Sequence, residues 1–247
     1  MVKKNSGQKL WEKAKTIIPG GNMFLSKRSE LFLPGHWPSY YKKAKGCEVW
    51  DLDNRKYYDM SLMSAGTNVL GYCNKSVDQT VNKIIKLGNM STLNCPEEFY
   101  LAKELIKIHP WSQMVKLART GGEANSIAIR IARAATKSDK IAVCGYHGWH
   151  DWYLAANLNS TKNLNFQLLP GLEPLGVPKG LKNTIIPFRF NNWEDFDKII
   201  KKNIKVSAAI IIEPCREGFP DKKYLLELKK IAKKSNAVLI FDEITSG

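Results

Sequence analysis

The stretch Ser207-Ala208-Ala209-Ile210-Ile211-Ile212-Glu213-Pro214, continued through residues 224–235 into Ala237-Val238-Leu239-Ile240-Phe241-Asp242-Glu243, decides the fold. Two short apolar runs flank a segment with helical spacing, and each run delivers a carboxylate to its carboxyl end. Strand, helix, strand in close succession is the pattern of a crossover unit, because parallel neighbours cannot be joined by a tight turn. Working upstream, residues 114–118 read as a strand. Residues 124–135 read as a helix with Ile127, Ala128, Ile131 and Ala132 inward. Residues 140–144 and 184–188 read as further strands, and a helix is expected near 193–200. Val77, Val81, Ile84 and Ile85 mark one earlier helix, and Phe99, Ala102, Leu105 and Ile106 mark another before Pro110. The expectation is an α/β large domain over residues 71–247, with a mostly parallel sheet flanked by helices on both faces. Residues 1–70 read as a small lobe. In it a helix carrying Leu10, Ala14, Ile17 and Ile18 is stopped by Pro19-Gly20-Gly21, and a β-hairpin turns at Asn54-Arg55.

Composition narrows the class. The chain has 247 residues, 44% of them hydrophobic, which is globular material and not a disordered tail. Its formal charge of +15 comes from 38 basic residues of which 31 are lysine, scattered along the chain. That distribution describes a solvated surface better than a nucleic-acid groove, which favours clustered arginine and aromatic residues. A non-enzymatic basic α/β module for nucleic acid or another anionic partner stands as the alternative reading. Five cysteines without a C-x-x-C pair fit reduced thiols, with neither a disulfide framework nor a zinc site. The basic, polar start lacks an apolar leader segment, and no run approaches the ~18 apolar residues of a membrane span. A soluble cytoplasmic protein is expected.

Four motifs follow strand-like runs, and in an open α/β sheet the carboxyl ends of the strands are where ligands bind. Thr120-Gly121-Gly122 passes into a helix, so its backbone N–H groups and the helix's positive end suit a phosphate, although a glycine pair there also serves as plain turn chemistry. Tyr146-His147-Gly148-Trp149-His150-Asp151 sets rings around a glycine, suited to stacking on a flat ligand or to loop packing. A metal site from His147, His150 and Asp151 lacks an H-E-x-x-H pattern and a fourth ligand. Glu213 ends an apolar strand, with a salt bridge to Arg216 as its structural use. Asp242 needs solvent or a cationic partner, since a bare buried carboxylate costs several kcal/mol. A protonated heterocycle nitrogen is one such partner. A strand-end aspartate capping a loop is another use, and a magnesium-holding Walker B segment ranks well below these because the G-x-x-x-x-G-K-[ST] loop it requires is missing.

In this order the motifs resemble the class III pyridoxal-phosphate aminotransferases, most of all the branch containing glutamate-1-semialdehyde 2,1-aminomutase. The resemblance runs nearly the whole chain. It includes Ile18-Pro19-Gly20-Gly21, Asp51-Leu52-Asp53-Asn54 with Tyr58-Asp59, and Glu123-Ala124 with Ala128-Ile129-Arg130-Ile131-Ala132-Arg133. It implies the large domain of a fold type I transferase that binds pyridoxal 5′-phosphate, with the cofactor held by Thr120, Gly121, Gly122, Tyr146, His147, Glu213, Asp242 and Ile244. Gly121 and Gly122 would hold the phosphate, Tyr146 and Ile244 would cover the two faces of the pyridine ring, and Asp242 would pair with its nitrogen. Glu213 would lie near the substrate edge. An amino acid or amino-aldehyde substrate and a homodimer are also implied.

Three departures qualify the match. The family's Ser-Gly-Thr-Glu-Ala is Thr120-Gly121-Gly122-Glu123-Ala124 here, which removes a hydroxyl at 122 and leaves backbone donation intact. Cys215-Arg216-Glu217-Gly218 stands where the aminomutases carry Val-Ala-Gly-Asn, so an aminotransferase substrate becomes an equal expectation. The family's Schiff-base lysine lies a few tens of residues beyond the aspartate, and none of the lysines here has the matching context. The chain is therefore expected to be the amino-terminal part of a longer enzyme, without the C-terminal lobe, with no catalytic residue of its own and inactive by itself.

Overall fold

Parallel pairing of four short strands organises the larger part of the molecule. In the computed structural model, which describes residues 4–61, 63, 66–88, 91–167, 169–215 and 218–247, the chain separates into the units Met1–Phe99 and Tyr100–Gly247. The strands of the second unit are β4 (Lys140–Cys144), β5 (Ile185–Pro187), β6 (Ser207–Ile212) and β7 (Val238–Phe241), in the order β5-β4-β6-β7, all parallel. Helix α4 (Gly121–Thr136), the short α5 (Asp151–Leu154), the segment from α6 (Trp193–Asp195) through a π-helical turn (Phe196–Ile200) to α7 (Lys201–Asn203), and α8 (Lys222–Lys234) supply the crossovers and cover.

The period of two in a strand divides the core into two layers. Ile141, Val143 and Ile211 face one side and pack with Ile129 and Ala132 of α4 and with Trp152 and Tyr153. Ala142, Cys144, Ile210 and Ile212 face the other side, against Phe196, Ile200 and Ile204 and against Tyr224, Leu228 and Ala232 of α8. Each of those helical sets repeats every four residues, the spacing of one helix face. Helices on both faces of a parallel sheet are the expected α/β architecture.

Two details differ from the sequence reading. Residues 114–118 form no strand: Met114 is 89% exposed, and no described strand pairs with the segment. Alternating apolar residues make a strand only where a neighbour supplies the ladder hydrogen bonds. In α4 the buried face is Asn125, Ile129 and Ala132, while Ile131 lies 58% exposed, so the helix is rotated from the expected inward set. Helices stand where the 75–87 and 96–108 patterns put them, as α2 (Lys75–Leu87) and α3 (Pro96–Ile108), but none of their described residues is buried.

The first unit is built on α1 (Ser6–Ile17) and the antiparallel sheet β1 (Tyr41–Lys45), β2 (Glu48–Asp51) and β3 (Lys56–Tyr58). Asn5 and Gln8 form a capping box at the start of α1. Trp11 and Ala14 bury its inner face, whereas Ile17 is exposed. The hairpin turn is fixed by Asp51, whose Oδ1 accepts the N–H groups of Asp53 and Arg55, both at 2.9 Å, while Oδ2 accepts the Tyr57 hydroxyl at 3.1 Å. Tyr72 belongs to this unit, bridging Gly46 in antiparallel fashion and donating its hydroxyl to Asp59 at 2.6 Å. Among the described residues no helix is long and apolar enough to cross a membrane.

The rotation of α4 is testable by truncation. Ile129→Ala should lower unfolding free energy by about 2–5 kcal/mol, and Ile131→Ala by no more than about 0.5 kcal/mol, in urea titrations of the two variants. Equal losses would place both side chains on the packed face.

Candidate active site

The ladder of the sheet continues one residue past its strands and sets the carboxylates in place. Glu213 N–H donates to the Cys144 carbonyl at 3.0 Å, and Asp242 N–H donates to the Ile212 carbonyl at 2.9 Å. Counting by twos from Ile211 and Ile240, Glu213 and Asp242 leave the sheet on the face covered by α4. Both are buried.

Asp242 is held by three elements. Its Oδ2 accepts Nδ2–H of Asn125 from α4 at 2.7 Å and lies 2.9 Å from Nδ1 of His147, and its Oδ1 accepts the Ile244 N–H at 3.2 Å. The His147 ring is 1% exposed, and its Nε2 sits 3.0 Å from the Cys144 carbonyl oxygen. A carbonyl only accepts, so Nε2 carries a proton. Burial works to raise the Asp242 carboxyl, but the hydrogen bonds from His147 and then Asn125 outweigh it and hold the group below its ordinary value of 3.8. Asp242 is thereby held as the acceptor of this group, with His147 and Asn125 both on Oδ2. Oδ1, with only the long Ile244 bond, is the oxygen left to face a ligand. His147 is thus placed behind Asp242 and not among the outward rings.

The glycine turn meets this cluster. Thr120 caps α4, its Oγ1 accepting the Glu123 N–H at 3.1 Å, while the Glu123 carboxylate accepts the Arg119 N–H at 2.8 Å. The N–H groups of Gly121 and Gly122 remain the open donors of the first turn. A Cβ on Gly121 would stand 3.5 Å from Cδ1 of Ile244, so the turn lies against the residue two beyond Asp242. A Cβ on Gly122 would stand 3.3 Å from Nε2 of His150. The loop after β4 also closes on this turn, since a Cβ on Gly148 would come 3.0 Å from the Gly122 Cα.

Tyr146 and Glu213 complete the group. Tyr146 N–H donates to Glu213 Oε2 at 2.8 Å, and the Tyr146 ring meets Tyr153 edge-on at 5.9 Å. Burial pushes the Tyr146 phenol up. Gly145, at φ 110°, has the glutamate where a side chain would be: its Cβ would fall 2.5 Å from Glu213 Oε2. Only glycine combines that backbone with that approach.

All eight expected residues are therefore linked, by hydrogen bonds or van der Waals neighbours, at the carboxyl edge of one sheet. Arg216, the expected partner of Glu213, and Glu217 lie outside the described residues. Asn125, Ser126 and His150 belong to the cluster and were not among the expected binding residues. For Asn125 a usable signal was present, since it shares the i, i+4, i+7 spacing of Ile129 and Ala132. Among the described residues no group of histidine, cysteine and carboxylate side chains is arranged to hold a metal ion.

The chain is similar to several known proteins. A family model described as aminotransferase class-III matches residues 34–247. A glutamate-1-semialdehyde 2,1-aminomutase of Nitrosopumilus maritimus is 36% identical over 249 residues, covering 98% of this chain and 56% of that protein. A 3-aminobutyryl-CoA aminotransferase of Cloacimonas acidaminovorans is 33% identical over 245 residues, covering 96% and 55%. Among solved structures, an omega-transaminase from Sphaerobacter thermophilus superposes with a TM-score of 0.83 at 25% identity, over 98% of this chain and 56% of that one. The chain spans about half the length of the curated relatives it matches.

The depressed carboxyl of Asp242 has a pH signature. Its contribution to stability is complete above the unfolded value of 3.8 and is lost as pH falls through the lower folded value. Asp242→Asn should cost about 1.5–3 kcal/mol at neutral pH, and the gap from wild type should narrow in melts taken below about pH 4. A gap that widens as pH falls would mean that the carboxyl is protonated in the folded protein.

Proposed function

The chain belongs to the class III aminotransferase family, and from that premise we propose that the protein moves amino groups with pyridoxal 5′-phosphate. The observation that carries the proposal is the buried Asp242, backed by His147 and Asn125, on the same sheet edge as the open Gly121 and Gly122 donors. The donor set fits the group. Two backbone N–H groups at the positive end of a 16-residue helix suit a phosphate dianion, and an ionised carboxylate suits a protonated ring nitrogen.

When bound, the cofactor supplies an electron sink for the charge left when a substrate C–H bond breaks. The residues of this chain hold and polarise it. Asp242 keeps a proton on the ring nitrogen, because that proton sits opposite a fixed negative charge. His147 and Asn125 keep Asp242 ionised in a buried place and fix its orientation. Tyr146 and Ile244 bound the ring from its two faces. Glu213 anchors the Tyr146 backbone and, with Gly145, sets the height of the tyrosine over the sheet edge. Thr120 serves by capping α4 and leaving the glycine donors free.

The substrate is an amino acid or amino aldehyde, and the protein works as a cytoplasmic homodimer. Relatives of both kinds, aminomutase and aminotransferase, match at similar identity. Incubation of the enzyme with and without an external amino donor distinguishes them, because an intramolecular transfer needs none.

Cofactor recognition is tested without any covalent step by titrating the chain with pyridoxine 5′-phosphate, which has no aldehyde, and following tyrosine and tryptophan fluorescence. Saturable binding is expected, weakened at least about tenfold by Asp242→Asn. Failure of the wild-type chain to bind, or equal binding by the variant, would refute the reading.

A further inference from the structure

His150 is set over the glycine turn with one ring nitrogen engaged and the other open. Nδ1 lies 2.6 Å from Ser126 Oγ, and that hydroxyl is held on two other sides, 2.9 Å from the Gly122 carbonyl and 3.1 Å from Nε1 of Trp152. The indole N–H can only donate, so Ser126 Oγ accepts from Trp152 and has one proton for either Gly122 or His150. The ring is thereby fixed in orientation from inside the protein. Nε2 has no hydrogen-bond partner among the described residues, and it stands 3.3 Å from where a side chain on Gly122 would begin. Gly122 belongs to the open end of α4, where the N–H groups of Gly121 and Gly122 have no hydrogen-bond partner among the described residues.

We infer that His150 is a phosphate-binding residue, its Nε2–H supplying the side-chain donor that glycine at 122 cannot. The inference rests on the reading of the Gly121-Gly122 turn as a phosphate cradle and adds a ligand to it. An anion at the turn favours whichever state of the imidazole puts a proton on Nε2: the neutral tautomer in which Ser126 gives its hydrogen to Nδ1, or the cation. Position 122 and His150 form a couple, because a side chain at 122 would begin 3.3 Å from the ring nitrogen and press on it.

The test compares pyridoxine 5′-phosphate with unphosphorylated pyridoxine on the same 247-residue chain. Wild type should prefer the phosphorylated ligand, His150→Phe, which keeps the ring and loses the donor, should reduce that preference about tenfold or more, and His150→Gln should restore part of it. Pyridoxine binding itself should change little, which separates lost phosphate contact from disturbed packing. A His150→Phe chain with the full wild-type preference overturns the inference and leaves the cofactor reading standing. A wild-type chain with no preference for the phosphate overturns the cradle and the inference with it. Side-chain 15N spectra of the unmutated protein give an independent readout that needs no stable variant: the His150 Nε2 resonance should move with pyridoxine 5′-phosphate and not with pyridoxine, and a resonance indifferent to both would be fatal to the idea.

Discussion

A negative charge buried at the end of a strand is the constraint around which the second unit is arranged. A carboxylate taken out of water must be met by donors within hydrogen-bond reach, and for Asp242 these come from α4 through Asn125 and from the loop after β4 through His147. His147 is itself fixed by the Cys144 carbonyl, the last residue of β4. Three segments far apart in sequence are thus tied to one oxygen. The tyrosine that precedes His147 and the glycine turn one helical turn before Asn125 are positioned by the same ties.

Much of the sheet was legible in the sequence because its strands are short apolar runs ending in recognisable chemistry. β4, β6 and β7 fall on the expected residues or within them, and the carboxylates follow directly. What the pattern could not supply was phase and partnership. In α4, Ile127 and Ile131 share one side of the helix and Ile129 lies on the other, so periodicity identifies a helix without choosing its inner face. Asn125 decides that choice through a bond to a residue 117 positions away. Residues 114–118 show the complementary failure, an apolar pattern with no neighbouring strand among those described. β1 escaped notice for the opposite reason, since Tyr41-Lys42-Lys43-Ala44-Lys45 carries no alternating apolar face and is a strand only because β2 pairs with it.

The site's polar second layer was equally hidden. In the sequence His150 reads with the rings of its own loop and Ser126 draws no reading, and only folding brings Ser126 Oγ to His150 Nδ1 across 24 residues. Glycine acts through the backbone. At 121 and 122 it leaves donors open, and at 145 and 148 its positive φ lets the loop after β4 lie against Glu213 and the turn.

The register of β6 and β7 has a consequence for how such a chain can vary. Ile212 pairs with Phe241, and the residue after each is the carboxylate, so both acids depend on the same side-to-side alternation. Loss or gain of a single codon inside either strand would transfer its acid to the opposite face of the sheet, among Phe196, Tyr224 and Leu228 and away from His147 and Asn125. Changes in length are therefore tolerable only in the connections, and the spacing between these strand segments can drift while the strands themselves keep their count.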